Sequence, residues 1–304
     1  MTTIKQEVRE FYDQVGWQEV SQGVYQNAHY EDLRPVAREY IHRCHLRLAR
    51  HLKPKGRFLL DAGSGPIQYP EYLVYSQGYQ RRVCVDISIV ALQEARKRIA
   101  GHGLFVVADV ANLPFKPGVF DGAVSLHTIH HLPQEEQLQA YQELYRALSP
   151  HSQAAVVNGW PSSRLMGLFE PLIQLKKRLR RLAAKLRRVN QSSDDDIESN
   201  EHSAISNQQS EIKNQKSKII NPKGTFTGRH DVSWVKGTVG AHMPVEICVW
   251  RSVSVRWLRN FISPALGGRF WLRLLYSLEE RFPHFFGENG QYPLIIIRKE
   301  RISE

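Results

Sequence analysis

The sequence has little cysteine: Cys44, Cys84 and Cys248 are the three in 304 residues, far apart and without a Cys-x-x-Cys pair. That spacing excludes a disulfide framework and suggests no structural zinc site, so each thiol reads as a small buried apolar residue. No stretch approaches the roughly 20 uninterrupted apolar residues of a membrane span. The amino terminus is too polar for a signal peptide, and the expected location is the cytoplasm. Acidic residues are scarce in one place: from Arg164 to Val189, Glu170 stands alone among nine basic residues. Most of the formal net charge of +11 therefore sits in that short segment, and the rest of the chain is ordinary in charge.

What is present is organised around Phe58-Leu59-Leu60-Asp61-Ala62-Gly63-Ser64-Gly65. An apolar run ending in a carboxylate and two glycines one residue apart predicts a buried parallel strand opening into a tight turn. Without a Cβ, Gly63 and Gly65 let the backbone bend sharply, and the amides of a following helix can face a polar ligand. Pro66 suits the first position of that helix. A second strand, Arg82–Val85, ends in Asp86, at the spacing where an acid meets a ribose diol. A third, Leu104–Ala108, ends in Asp109 and is followed by Leu113-Pro114-Phe115. The fourth, Val119–Leu126, contains Phe120-Asp121 and runs into His127-Thr128-Ile129-His130-His131-Leu132. Helices are expected over 66–78, 88–100 and 134–148, with a fifth strand at Ala154–Val157. Such alternation is a doubly wound α/β fold, whose right-handed crossovers bring the carboxyl ends of strands one and four together as a ligand crevice.

In this order and spacing, these residues resemble the class I S-adenosylmethionine-dependent methyltransferases, in particular the group that includes the ubiquinone and menaquinone C-methyltransferases. The likeness covers 53–160 well. It implies a mostly parallel seven-stranded sheet, with Val245–Trp250 and Tyr292–Ile297 as its last two strands, the final one antiparallel. By the same resemblance, Asp61, Ala62, Gly63, Ser64 and Gly65 border the cofactor S-adenosylmethionine, the two glycines beside its methionine part. Asp86 would accept from the ribose hydroxyls, Ile87 would pack on the adenine, and Asp109 would accept from the adenine amine. Val110 and Ser125 belong to the same implied set. Tyr25 and Arg34 are candidates for a lid, Arg34 pairing with the cofactor's carboxylate; aromatic packing and a surface charge are the alternatives. Two departures stand out: Ile67 occupies the place of the family's third turn glycine, and His151-Ser152 replaces a glycine pair before strand five.

The activity so implied is methyl transfer to a small-molecule or lipid-like acceptor, at carbon or oxygen, with His127 and then His130 as candidate bases. Two alternatives stay open: a non-catalytic S-adenosylmethionine-binding regulator or scaffold, and a methyltransferase of macromolecules. Against a nucleic-acid acceptor, no Asn-Pro-Pro-Tyr is present, and against a nicotinamide dehydrogenase, Gln68 stands where Gly-x-Gly-x-x-Gly needs its last glycine. No metal is expected, and His42 and His45, beside Cys44, read as helix-surface residues.

The chain divides into a helical amino-terminal lid over 1–52, the cofactor-binding core over 53–160, a basic amphipathic helix over 161–190, a disordered insertion over 191–228, and acceptor-pocket elements with the final strands over 229–304. In the basic helix, Leu165, Leu168, Leu172, Leu175, Leu179, Leu182, Leu186 and Val189 recur three and four apart. That stripe fits packing on the protein's own core, an anionic membrane surface met peripherally, or a coiled coil or RNA contact. The insertion is rich in Ser, Asn, Gln and charge, too polar to offset the entropy of ordering. Trp234, Trp250, Trp257, Phe261 and Trp271 are expected in acceptor-pocket walls or in the core.

Overall fold

The computed structural model describes residues 3–17, 19–21, 24–25, 31–32, 34–191 and 225–300. Two compact units are present, one of residues 1–166 with 225–304 and one of residues 167–224.

The first unit is built on seven strands: β3 (Gly56–Ala62), β4 (Tyr79–Asp86), β5 (Gly103–Val107), β6 (Gly122–Leu126), β7 (Gln153–Val157), β8 (Val245–Arg251) and β9 (Tyr292–Arg298). Their order across the sheet is β5-β4-β3-β6-β7-β9-β8. Pairing is parallel from β5 to β7 and antiparallel where β9 inserts between β7 and β8. The sheet is thus mixed, its first five strands parallel. Alternation along the strands feeds two cores. Leu60, Ala62, Val83 and Val85 pack with Tyr141 and Leu144, while Leu59, Cys84 and Val124 pack with Ile67, Tyr72 and Tyr75. Both faces are covered, which is why the strands read as unbroken apolar runs.

Helices α3 (Ile89–Ile99) and α4 (Gln134–Ala147) supply the crossovers, α3 capped by the Ser88 hydroxyl accepting from the Ala91 amide. The expected helix over 66–78 does not form. Only a tight 3-10 stretch, Pro70–Ser76, follows the glycine turn, and Tyr69 ahead of Pro70 is extended at φ −113° and ψ 142°. Proline disfavours the helical region for the residue before it, and with Tyr69 extended the helix is interrupted at this point. The amino-terminal region also differs from expectation. Helix α1 (Thr3–Phe11) continues into a wider turn, Tyr12–Gly16, and β1 (Glu19–Ser21) then pairs antiparallel with β2 (Val24–Tyr25), within the stretch expected to be a helical lid. Helix α2 (Arg38–Arg47) comes next.

Past β7 lie α5 (Arg164–Gln191), α6 (Val255–Phe261), α7 (Gly268–Arg281) and α8 (Pro283–Asn289). Helix α5 carries the predicted basic segment unbroken through Pro171. Its Leu168, Leu172, Leu175, Leu179 and Leu182 are exposed; the side chains of Leu186 and Val189 lie outside the described residues. Most of the predicted disordered insertion also lies outside them. Its last residues do not fit the prediction, because Gly228 donates its amide to His130 and the Phe226 carbonyl accepts from His131. Among the described residues no helix is long and apolar enough to cross a membrane.

Candidate active site

The turn after β3 is shaped by conformations that side chains resist. Gly63 and Gly65 lie at φ 74° and 53°, in the left-handed region that costs other residues roughly 1–2 kcal/mol. A Cβ on Gly63 would fall 2.1 Å from the Thr128 side chain, and the Thr128 hydroxyl donates to the Gly63 carbonyl at 3.1 Å. Thus the β6 loop closes directly on the turn. Ile67, in the place of a third glycine, also takes a positive φ, 55°, and is wholly buried. The backbone keeps the glycine-like bend, and packing against Tyr72 and Tyr75 holds it there. Asp61 is not offered to the crevice. Its carboxylate accepts from Arg82 Nε at 2.9 Å and Nη2 at 2.5 Å, beneath the sheet surface, where both residues are buried.

At the end of β4, Asp86 accepts from the Gly65 amide and the Ser88 amide, each at 2.9 Å. Burial pushes its carboxyl up to about 6, although those two amides favour the charged form. The acid therefore sits against the glycine turn itself, with Ile87 half-buried beside it. At the end of β5, Asp109 accepts from the Ala111 amide and is paired with Lys5 of α1, which also pairs with Glu136. Val110 is buried in the core. Ser125, near the end of β6, is fully buried, and its hydroxyl has no partner among the described residues. Further along the amino-terminal segment, Asp13 accepts from the Ser88 hydroxyl, and the Trp17 ring lies 3.1 Å from where a Cβ on Gly65 would be.

Three histidines follow β6. His127 takes φ 56° and packs its ring edge-on against Trp250 and Tyr292, at 5.1 and 5.7 Å between centroids. His130 Nδ1 meets Asn158 Oδ1 at 3.1 Å, and His131 donates from Nδ1 to the Phe226 carbonyl at 2.7 Å. With that donation fixing the tautomer, His131 Nε2 accepts from the Tyr12 hydroxyl at 2.9 Å. Burial is the main cause of depressed basicity in all three: to about 3 in His127, about 4 in His131, and well below the usual value in His130. The cluster is a neutral, aromatic wall at physiological pH.

A known family matches this region: the methyltransferase domain, over residues 60–156. Over those residues, about a third of its length, the chain is similar to a methyltransferase domain. The chain is 28% identical over 142 residues to the tRNA (carboxymethyluridine(34)-5-O)-methyltransferase alkbh8 of Xenopus tropicalis, covering 40% of this chain and 21% of that protein. It thus spans about a fifth of the length of that relative. Among solved structures, it is similar to geranyl diphosphate C-methyltransferase from Streptomyces coelicolor A3(2), crystallised with Mg2+, geranyl diphosphate and S-adenosyl-L-homocysteine. That likeness has a TM-score of 0.52 at 14% identity, over 99% of this chain and 98% of the other. Phosphoethanolamine N-methyltransferase 2 of Haemonchus contortus, with S-adenosyl-L-methionine, gives 0.50 at 13% identity over 99% and 61%. At such identities the likeness is one of fold.

The methyltransferase domain brings together Gly63, Gly65 and Asp86, and its histidine cluster meets residues that the sequence did not single out as site residues. His45 on α2, expected on a surface, is buried and stacks on Trp250 at 5.4 Å with 13° between the rings. Its Nδ1 lies 3.6 Å from Glu71 and its Nε2 4.0 Å from Glu31, and among the described residues Trp250 Nε1 and Arg251 Nε, both buried, have no hydrogen-bond partner. Arg251 pairs with Glu31 through its other end and lies 4.6 Å over the Tyr292 ring. Tyr12, Trp17, Thr128 and Lys5 were missed as well; only their positions in space mark them. Arg34 is held elsewhere, by Asp32 at 2.7 Å and by the Leu258 and Ile262 carbonyls of α6 and its end. The Tyr25 side chain lies outside the described residues. Trp271 is exposed on α7.

Proposed function

We propose that the protein transfers the methyl group of S-adenosylmethionine to a small-molecule or lipid-like acceptor, at carbon or oxygen, by in-line displacement. The observation that supports this reading is the strained Gly63–Gly65 turn, whose Gly65 amide donates to the Asp86 carboxylate, with a buried ring cluster beyond β6. When bound, the cofactor supplies an electrophilic methyl group on a sulfonium. Asp86 accepts from the ribose hydroxyls, Ile87 packs on the adenine, and Asp109 accepts from its amine. The segment from Lys5 to Trp17 acts as a lid over that crevice and keeps water out, which suits a displacement that discharges a cation.

The acceptor end of this reading is the cluster of His45, His127, Trp250, Arg251 and Tyr292. Its rings suit an apolar or aromatic body, and Trp250 Nε1 and Arg251 Nε, unpartnered among the described residues, suit an oxygen substituent, because buried donors left unpaired are costly. A phenolic acceptor of the kind methylated in quinone synthesis has both parts. His127 is neutral, the form a base needs, but weakly basic. Orientation of the acceptor, worth on the order of several kcal/mol, then carries more of the rate than proton removal does.

Exposed apolar faces support a peripheral place at an anionic membrane surface. On α5, Leu168, Leu172, Leu175, Leu179 and Leu182 share a helix with Lys176, Lys177, Arg178 and Arg181. On α7, Phe270, Trp271, Leu274 and Leu278 are exposed between Arg269, Arg273 and Arg281. Each basic group near such a surface adds about 1 kcal/mol. The likeness to a tRNA methyltransferase favours a second reading, a macromolecular acceptor.

Incubation with methyl-labelled S-adenosylmethionine and cell extract separates these readings. Enzyme-dependent label in the organic phase is expected. Label in RNA or protein selects the second reading, and binding of the cofactor without any transfer shows a regulator or scaffold.

A further inference from the structure

At the outer edge of the sheet, away from the methyltransferase crevice, three side chains of different chemistry converge. Glu246 and Cys248 lie two apart on β8, so both point to the same face. His284, from the first turn of α8, lies over them. Cys248 Sγ is 3.5 Å from Glu246 Oε1, which is 3.6 Å from His284 Nε2. All three potential donor atoms lie within 4.8 Å of one another.

Zinc bonds of about 2.3 Å to sulfur and about 2.0–2.2 Å to nitrogen and oxygen, at tetrahedral angles, place donor atoms about 3.3–3.6 Å apart. Two of the three separations already have that size. The imidazole is also oriented as a ligand would be: Nδ1 donates to the Ile247 carbonyl at 2.9 Å, which leaves the Nε2 lone pair facing the carboxylate. Glu246 uses its other oxygen to accept from Arg298, so the carboxylate is held from behind. The scaffold is rigid at this point. Gly287 of α8 rests on the backbone of Cys248, where a Cβ would fall 2.4 Å from the carbonyl, and that close approach brings His284 over the strand.

We propose that Glu246, Cys248 and His284 bind a zinc ion, with water in the fourth position, and clasp the edge strand β8 to α8. Cys248 binds as thiolate. The Zn–S bond forms as the S–H bond breaks, and one proton is released to solvent for each ion taken up. No oxidant or reductant is involved.

The test uses untagged full-length protein, stripped with a chelator and titrated with Co2+ as a spectroscopic stand-in. The expected result is one Co2+ per chain, with a thiolate-to-cobalt charge-transfer band that Zn2+ abolishes. Cys248→Ser should remove the band. His284→Gln, a change at an exposed ring that leaves folding undisturbed, should weaken binding by at least about tenfold. Absence of the band, its persistence in Cys248→Ser, or unchanged affinity in His284→Gln would each overturn the proposal. None of these outcomes depends on methyl transfer.

Discussion

Lys5 of α1 reaches the Asp109 carboxylate at the end of β5 and, with the same ammonium, Glu136 at the start of α4. One amino-terminal side chain thereby joins the rim of the crevice at two points. Burial alone would lower the Lys5 pKa, but hydrogen bonds to both acids outweigh it and hold the group above its ordinary value. Lys5→Met leaves two neighbouring carboxylates without their cation. Breaking a fully buried pair costs about 3–5 kcal/mol, and these carboxylates are partly exposed, so a loss of about 1–3 kcal/mol is expected. Because the folded pKa is raised, the contribution is complete below the unfolded lysine value of about 10.4 and fades only above it. Urea unfolding should show the same loss at pH 6 and pH 9; a loss confined to one of these would contradict the arrangement.

Asp86 should trade stability for binding. Its folded pKa of about 6 lies above the unfolded value near 3.9, so the folded state binds the proton more tightly. The destabilisation is absent below pH ~4 and complete above pH ~6, and amounts to about 2–3 kcal/mol. Asp86→Asn removes the charge but sets its NH2 against one of the two amides that Asp86 accepts from, so it is expected to affect Tm more favourably at pH 8 than at pH 4, and to abolish cofactor binding measured by calorimetry. In the unaltered protein, cofactor affinity should fall about tenfold per unit as pH drops below about 6. Equal affinity at pH 5 and pH 8 would remove Asp86 from the site.

Glu279 of α7 is fully buried and accepts from Tyr40 of α2 at 2.7 Å, from the Ser252 amide and hydroxyl beyond β8 at 2.9 and 2.6 Å, and from Arg47 at 3.0 Å. Three elements meet on one carboxylate. Glu279→Ala leaves Arg47 buried with a weakened counter-charge and is expected to cost about 3–5 kcal/mol. Denaturant unfolding would measure it; a cost under about 1 kcal/mol would show that the pair is not as enclosed as its geometry indicates.

The α7 face makes a contrasting case. Phe270 and Trp271 are 64% and 55% exposed, so replacing both with Asp should change stability by no more than about 0.5 kcal/mol each. Binding to vesicles containing anionic lipid should fall steeply, and in the unaltered protein should weaken with added salt. Vesicle sedimentation decides it, and undiminished binding by the double variant would exclude this face.

The seven strands were legible because each contains a short apolar run bounded by glycine, proline or a charge, buried on both faces in the centre of the sheet and only partly buried in β5 at its edge. The antiparallel sense of the last strand came from the family likeness, whereas its insertion between β7 and β8 was not legible, since nothing in Tyr292–Arg298 itself says so. The helix expected after the glycine turn failed on Pro70, a local signal overridden by the attraction of Pro66 as a helix start. Asp61 was misplaced for a different reason. Strand alternation puts it on the face of Leu59, and its partner Arg82 comes from a neighbouring strand, a pairing that one sequence does not encode in its spacing. His45, Arg251 and the Tyr12–His131 pair needed the same tertiary information, as did the convergence of Glu246, Cys248 and His284.

Strand β9 comes late in the sequence yet lies inside the sheet, hydrogen-bonded on both sides. A nascent chain shorter than about 290 residues must therefore hold β7 and β8 apart, each with an open row of amides and carbonyls that invites pairing with another molecule. Gly63, Gly65, Asp86 and Asp109 are synthesised well before this gap can be filled, whereas Tyr292 arrives with β9 itself. Vectorial synthesis thus leaves the sheet incomplete after its ligand-facing edge has been made, and a truncation just upstream of Tyr292 should yield an aggregating protein rather than a weak enzyme.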